Sequence, residues 1–312
     1  MKTLIGLVGV GLLAAPVLKA DTFGSGGNQF TMDFTTIGNA GNAADTTGSP
    51  NPVGSVGYTY QMGTYEVSRG MIDAYNALVP VHGGPTLTMS DMSSFGGNGA
   101  NRPATSVSWN EAARFVNWLN TSSGYDAAYQ FDTAGGNDNI ALWEVGDAGY
   151  NAGNPFRNSN AHYFLPSEDE WYKAAYYDPN ANGGLGGYWN YATGSDTAPV
   201  TTSGGTASGT AVYRDGVNTN PPGPADITNA GGLSAYGTMA QNGNVWEWGE
   251  NGFTAPNDSA GESRVIRGGG WGNSSDFLSS SFRNFGSPTN ENSFIGFRVA
   301  AVPEPSSLGS VN

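Results

Sequence analysis

Cysteine is absent from the 312-residue sequence, and histidine occurs only twice, as His82 and His162. Without thiols the chain has no disulfide, no thiolate metal centre, no iron–sulfur cluster and no cysteine nucleophile. Zinc and non-haem iron sites usually take two or three imidazoles, so two histidines suffice only if carboxylates join them. His82 lies in a Gly/Pro-rich loop and His162 opens a strand-like stretch, which are ordinary places for a surface or hydrogen-bonded histidine. Iron is therefore not expected.

Basic residues are also scarce. Lysine and arginine total 12 against 26 acidic residues, which gives a formal net charge of −14. Nucleic-acid binding through phosphates needs clustered Lys and Arg, so this class of function is excluded. The negative charge permits cation binding, but an acidic exported surface is the simpler interpretation.

A long hydrophobic run occurs only at the start of the chain. Residues 1–20 combine Lys2, a short apolar run and the small residue Ala20 before Asp21. This layout is typical of a signal peptide, and the run is too short for a stable membrane span. We therefore predict an exported protein that begins at Asp21 after cleavage.

The last segment, residues 301–312, is rich in proline. Its "VPEP" at 302–305 resembles the start of the PEP-CTERM sorting signal of Gram-negative exported proteins. That signal continues with an apolar span and a basic tail, neither of which follows here. The prediction is a truncated sorting signal, which would be the only link to a membrane. The alternative is a chance match in a Pro-rich tail.

Glycine and aromatic residues are plentiful. There are 48 glycines and 17 prolines without a Gly-X-Y period, and 12% of the residues are aromatic. The rings can fill a core, and the glycines allow turns with positive φ. This composition predicts a compact body with much irregular backbone. We divide the chain into a signal peptide (1–20), a polar lead-in or set of edge strands (21–54), one domain (55–300) and a tail (301–312).

Regular elements are predicted by periodicity and by helix-capping signals. Residues 57–68 alternate like a strand, and residues 292–300 read as a closing strand. A helix is expected from Ser68, where apolar residues recur at helical spacing. Two further helices begin with capping boxes, in which a serine and a glutamate three residues later satisfy free N–H groups at the helix start. These pairs are Ser108 with Glu111 and Ser167 with Glu170.

Four stretches, in this order, are similar to one known family. They are "YEVSRGMIDAYNA" (65–77), "PATSVSWNEAARFVNWLN" (103–120), "YFLPSEDEWYKAAYY" (163–177) and "GNVWEW…RVIRGGGW…FIGFRVA" (243–300). Together they resemble the formylglycine-generating enzyme, or sulfatase-modifying factor, domain family. The resemblance covers roughly residues 55–300. It implies a single α+β domain related to C-type lectins, with much irregular structure.

The resemblance also implies a calcium site. Family members hold the ion with carbonyl oxygens and a glutamate, which correspond to Gly243, Val245 and Glu247 in this sequence. Oxygen ligands suit Ca²⁺, and the ion would neutralise a buried glutamate. One further family ligand falls on Ala240, which cannot bind. The alternative is that Glu247 pairs with an arginine such as Arg267 or Arg298.

The resemblance does not extend to the residues that carry out the family's chemistry. Formylglycine-generating enzymes use two cysteines to bind copper and activate oxygen. These positions correspond to Asn273 and Leu278, neither of which is a thiolate ligand. We therefore predict that this protein does not generate formylglycine and does not use copper. The alternative is a family enzyme with a non-haem iron or unknown site.

A ligand-binding cleft is the other function that the resemblance implies. Four residues near the family's cleft are candidates to contact a ligand: Trp271, Asn273, Arg283 and Asn284. Rings with amide and guanidinium groups suit sugars or peptide backbones. The alternative is that Trp271 belongs to the core and Arg283 to a structural ion pair. We expect a binding or structural module outside the cell or in its envelope, with a carbohydrate or protein ligand.

Overall fold

A computed structural model describes residues 19–216 and 221–303. Most of the predicted signal peptide and almost all of the proline-rich tail lie outside the described residues, so both remain predictions. In the part of the chain that is described, no helix combines the length and apolar character needed to cross a membrane.

Five α-helices occur in the described residues; the three longest begin where apolar spacing or capping boxes predicted, and two four-residue helices were not predicted. The five are α1 (Arg69–Ala77), α2 (Val79–His82), α3 (Trp109–Ser122), α4 (Glu168–Tyr176) and α5 (Ala181–Gly184). The predicted capping boxes at Ser108 and Ser167 are present at the starts of α3 and α4. Ser68 caps α1 by accepting a hydrogen bond from the Met71 N–H. Two short 3-10 helices, Gly26–Asn28 and Ser275–Leu278, complete the set.

The larger sheet has five antiparallel strands in the order β1-β2-β3-β13-β4. These are β1 (Lys19–Phe23), β2 (Phe30–Ile37), β3 (Tyr60–Gly63), β4 (Tyr163–Phe164) and β13 (Ala300–Ala301). The segment 21–54, predicted as a lead-in or edge strands, therefore supplies β2 and most of the edge strand β1, whose first two residues, Lys19 and Ala20, belong to the predicted signal peptide. Because β2 pairs with β3 along residues 34–37, this segment is part of the same sheet as the rest of the domain.

The second sheet has four strands in the order β11-β10-β9-β12. They are β9 (Trp246–Gly252), β10 (Arg264–Arg267), β11 (Asn284–Gly286) and β12 (Ile295–Gly296). Two short pairs, β5 (Tyr177–Asp178) with β6 (Gly187–Tyr188) and β7 (Val200–Thr201) with β8 (Thr210–Ala211), lie apart. The predicted closing strand 292–300 is in fact two strands, because the chain leaves β12 in one sheet and enters β13 in the other.

The main core joins α3 to both sheets. The apolar side of α3 carries Ala112, Phe115, Val116 and Leu119, all fully buried. These side chains belong to one cluster with the two tryptophans of β9 and the residues between β12 and β13. The core therefore links the "GNVWEW" strand to the closing segment, and this packing positions the site described below.

Candidate functional site

A tight turn precedes β9 and requires glycine. Gly243 has φ +93°, and a Cβ there would stand 2.3 Å from the Val212 carbonyl oxygen. Asn244 follows at φ 58°, a left-handed conformation that asparagine tolerates better than most residues. The turn directs the chain into β9, where Trp246 and Trp248 are buried in the core.

The carboxylate of Glu247 is committed to Arg298. Two Arg298 nitrogens lie 2.5 Å from the two carboxylate oxygens, and both side chains are fully buried. The Trp171 indole N–H donates to the same carboxylate at 2.7 Å. The predicted calcium site at Gly243, Val245 and Glu247 therefore does not fit this arrangement, because its only charged ligand is neutralised by a guanidinium. The alternative drawn from the sequence, pairing with Arg298, is the one observed.

A second buried carboxylate, Glu66, lies beside the same turn and was missed from the sequence. Its oxygens accept hydrogen bonds from the Asn244 amide at 2.6 Å and the Val245 N–H at 3.3 Å. Burial, followed by the nearby charge of Glu247, raises the pKa of Glu66 well above its usual value. The only signal in the sequence was a lone charge within the apolar stretch "YEVS".

Arg283 is not free to bind a ligand. It donates to both carboxylate oxygens of Glu168, at 2.9 and 2.6 Å, and Arg267 also donates to Glu168, at 2.7 Å. The prediction that Arg283 contacts a ligand is not supported by this geometry, since its guanidinium is held in an ion pair beside Phe253. Glu168 is both an acidic residue in the first turn of α4 and the acceptor for two arginines.

Leu278 and Asn273, the residues that the resemblance predicts to stand at the family's cysteine positions, have different surroundings. Leu278 is fully buried and packs with Ala211 and Tyr213. The Asn273 amide oxygen accepts from the Trp246 indole N–H at 2.9 Å and from the Gly270 N–H at 3.0 Å. A buried leucine offers no coordinating atom, and the asparagine oxygen is already saturated. These residues do not fit copper.

Asn273 and Asn284 line one cavity of about 350 Å³. Its wall is made of amide side chains, rings and aliphatic groups: Trp246, Ile266, Gly272, Asn273, Asn284, Phe285, Asn290, Asn292, Phe294 and Ile295. Trp271 lies one layer behind, where its ring is buried and stacks on Phe294 at 4.7 Å between centroids. Of the four predicted cleft residues, the structure brings together the two asparagines, while Trp271 supports the wall and Arg283 is absent from it.

The histidines do not form a metal centre with other side chains. His82 contacts the rings of Tyr75 and Trp118, and its Nδ1 accepts from the Gly84 N–H at 3.0 Å. His162 stacks on Tyr125. Across residues 19–216 and 221–303, no three His, Asp or Glu side chains are grouped so that they could hold a metal.

A family model for the sulfatase-modifying factor enzyme 1-like domain, named FGE-sulfatase, matches residues 25–302. The chain belongs to the FGE-sulfatase family. This FGE-sulfatase domain includes β2, which lies in the segment that the sequence assigned to a lead-in. The family assignment and the α+β fold predicted from the quoted motifs are thereby confirmed.

Named relatives and solved structures are similar to this FGE-sulfatase chain. It is 33% identical over 153 residues to hercynine oxygenase of Mycolicibacterium smegmatis and 34% identical over 154 residues to that of Mycolicibacterium thermoresistibile. Each alignment covers 44% of this chain but only 32% and 31% of the relative, so the chain matches about a third of the length of these relatives.

Solved structures support the fold. Treponema denticola variable protein 1 is 22% identical, covers 91% of this chain and 99% of its own, and superposes with a TM-score of 0.56. CarF is 19% identical, covers 88% and 99%, and has a TM-score of 0.59. At these identities the likeness shows a shared fold alone.

Proposed function

We propose that this FGE-sulfatase chain is an exported binding module without formylglycine-generating activity. The observation that carries the proposal is that Leu278 and Asn273, which the resemblance predicts to match the family's two cysteines, carry no thiol. One is a core leucine, and the other is an asparagine in the wall of a ligand-sized cavity. Cavities of a few hundred cubic ångströms that combine apolar walls with a few polar groups are typical of small-ligand sites. The signal-like start of the chain supports a location outside the cell or in its envelope.

The cavity is the binding site in this proposal. Asn273 is held in place by two hydrogen bonds, and Phe285 presents a ring that is 55% exposed at the mouth. A rigid polar wall with an accessible ring is able to orient a ligand and cover one of its faces. The ligand would be a carbohydrate or a segment of another protein.

A ligand screen with a blocked variant tests this proposal. Asn290 is exposed and lines the cavity, so Asn290→Trp fills the mouth without disturbing the core. Val145→Trp places the same ring at a position that is 86% exposed and outside the cavity. We expect glycan or protein ligands that bind the wild-type chain and Val145→Trp but not Asn290→Trp. A screen in which no ligand distinguishes the two variants would refute the proposal.

A second candidate function is an oxidoreductase, because the hercynine oxygenases are relatives over part of the chain. Metal analysis of protein purified without chelators separates the two candidates. Stoichiometric iron or copper, together with oxygen consumption, would favour the enzyme. Aldehyde formation on a sulfatase-motif peptide in the presence of copper would overturn the predicted loss of formylglycine-generating activity.

A further inference from the structure

The cavity at Asn273 has an unequal supply of hydrogen-bond donors and acceptors. Three of its four asparagines use their amide oxygen inside the protein. Asn273 accepts from Trp246 and Gly270, Asn284 accepts from the Phe285 N–H at 2.9 Å, and Asn292 accepts from the Phe294 N–H at 2.9 Å. A backbone N–H only donates, so the atom that faces it must be the amide oxygen. This chemistry sets the orientation of all three amides.

The NH₂ ends of these amides are the parts left for the cavity. Within residues 19–216 and 221–303, none of the three NH₂ groups donates a hydrogen bond to the protein. Each amide nitrogen carries two donors. In addition, the Asn273 amide oxygen already accepts two hydrogen bonds, one for each of its lone pairs. The cavity is therefore rich in donors and poor in side-chain acceptors.

Among the residues that the structure describes, no charged side chain lines the cavity, and the chain as a whole has a net charge of −14. Arg283, the neighbour of Asn284 in sequence, is paired with Glu168 and does not line the cavity. A negative protein repels anions at long range, and no cation in the wall compensates. The complementary ligand is therefore uncharged, while it presents oxygen acceptors to the amide groups.

The rest of the wall is apolar. Phe285 is exposed at the mouth, and Phe294 is backed by Trp271. The side chains of Ile266 and Ile295 complete the apolar part of the wall. Sugar rings carry C–H faces that pack on aromatic rings, and an acetamido group adds a carbonyl oxygen and a methyl group. A plain sugar offers hydroxyls, each of which accepts through its oxygen but also brings a donor that meets few side-chain acceptors here, and an unpaired polar group costs affinity.

We infer that this cavity binds an uncharged ligand through an amide carbonyl oxygen, and that the ligand is an N-acetylated sugar. The inference rests on the proposed function, because it assigns a ligand class to the same site. The acetamido carbonyl would accept from the NH₂ groups of Asn273 and Asn292, while the sugar ring packs on Phe285.

Binding of two matched disaccharides tests the inference. N,N′-Diacetylchitobiose and cellobiose share size, linkage and most hydroxyls, but only the first has acetamido groups. In calorimetric titrations of the full chain we expect diacetylchitobiose to bind about tenfold or more tightly than cellobiose, as for the loss of a good hydrogen bond. Equal binding of the two, tighter binding of cellobiose, or no binding of either would overturn the inference.

Isosteric variants locate the contact. Asn273→Asp and Asn292→Asp keep the oxygen that accepts from the protein and remove the NH₂ donors. Each should weaken diacetylchitobiose binding about tenfold. Asn151→Asp makes the same change at an exposed turn, where the side-chain oxygen accepts from the Gly153 N–H, and should leave binding unchanged. Unchanged binding in both cavity variants would contradict the assignment.

Two further probes separate other ligand classes. Inorganic sulfate offers oxygen acceptors with charge, and N-acetyl-dialanine N-methylamide offers the same carbonyl in a peptide. Tighter binding of either than of diacetylchitobiose would overturn the sugar assignment. A different ligand that the Asn290→Trp variant loses would overturn this inference and leave the proposed function standing. If no ligand depends on Asn290, both fail.

Discussion

The two faces of strand β9 carry neighbouring residues with opposite roles. On one face Glu247 is buried in an ion pair with Arg298 and receives the Trp171 indole N–H. On the other, Trp246 donates to Asn273 at the wall of an uncharged cavity. The charge of Glu247 is paired inside the fold, whereas neutral amides line the cavity, where a ligand has access. In this chain a charged motif residue is therefore a poor guide to the binding site.

Removing Arg298, the partner of Glu247, should cause the largest loss of stability. Arg298→Ala leaves the Glu247 carboxylate buried without its partner and removes donors to the Gly63 and Met239 carbonyls. We expect a loss of about 3–5 kcal/mol in the free energy of unfolding, measured by urea denaturation. Arg102→Ala, which breaks a partly exposed pair with Asp226, is the matched control and should cost about 0–1 kcal/mol. Similar losses in the free energy of unfolding for both variants would contradict the prediction that the buried pair matters more than the partly exposed one.

A variant of Leu278 tests whether this residue, predicted to stand at a family cysteine position, serves packing. Leu278→Ala should reduce the free energy of unfolding by about 2–5 kcal/mol, because the leucine is fully buried against Ala211 and Tyr213. Leu185→Ala changes the same side chain at a position that is 87% exposed and should have little effect. A neutral result for Leu278→Ala in thermal and urea unfolding would contradict the packing role.

The second buried carboxylate, Glu66, is tested through the pH dependence of the free energy of unfolding. Its pKa in the folded protein is raised, so above about pH 4.5 the unfolded chain loses this proton while the folded chain keeps it. The stability associated with Glu66 is thus complete below pH 4.5 and falls as pH rises towards the folded pKa. Glu66→Gln removes this loss. The free energy of unfolding of the variant relative to wild type should rise by up to about 1.4 kcal/mol per pH unit above 4.5.

The measurement for Glu66 is a series of urea unfolding curves between pH 4 and 7. The constant cost of replacing an oxygen that accepts from Asn244 shifts the whole curve but not its slope. A difference between variant and wild type that does not change with pH would show that Glu66 ionises normally.

The smallest effect on stability is expected in the cavity wall, which carries neutral amides. Asn292 is exposed, and Asn292→Asp keeps the oxygen that accepts from the Phe294 N–H. The free energy of unfolding should stay within about 0.5 kcal/mol of wild type, although sugar binding is weakened. A large loss of stability would mean that the cavity wall also holds the fold together.

The helices and the family were predictable from the sequence because their signals are local. Ser108 and Glu111, or Ser167 and Glu170, meet within one helical turn, so four residues contain the whole capping interaction. Local patterns of this kind do not depend on how distant segments pack.

The partners of Glu247 and Arg283 depend on distant segments and were only partly predictable. The carboxylate of Glu247 meets a guanidinium 51 residues further along the chain, and Arg283 meets a carboxylate 115 residues before it. From the sequence alone, Glu247 fitted a calcium ion as well as an arginine. Glu66 and the cavity asparagines at 290 and 292 were missed because their environment is formed by loops that no periodicity describes.

The passage of the chain from β12 to β13 has a consequence for biosynthesis. Residues 295–301 contribute a strand to each sheet, and Arg298 between them reaches Glu247 and the carbonyls of Gly63 and Met239. A nascent polypeptide that stops short of this segment lacks the strand between β3 and β4 and leaves Glu247 without its counter-charge. The ribosome therefore has to release nearly the whole domain before either sheet is complete.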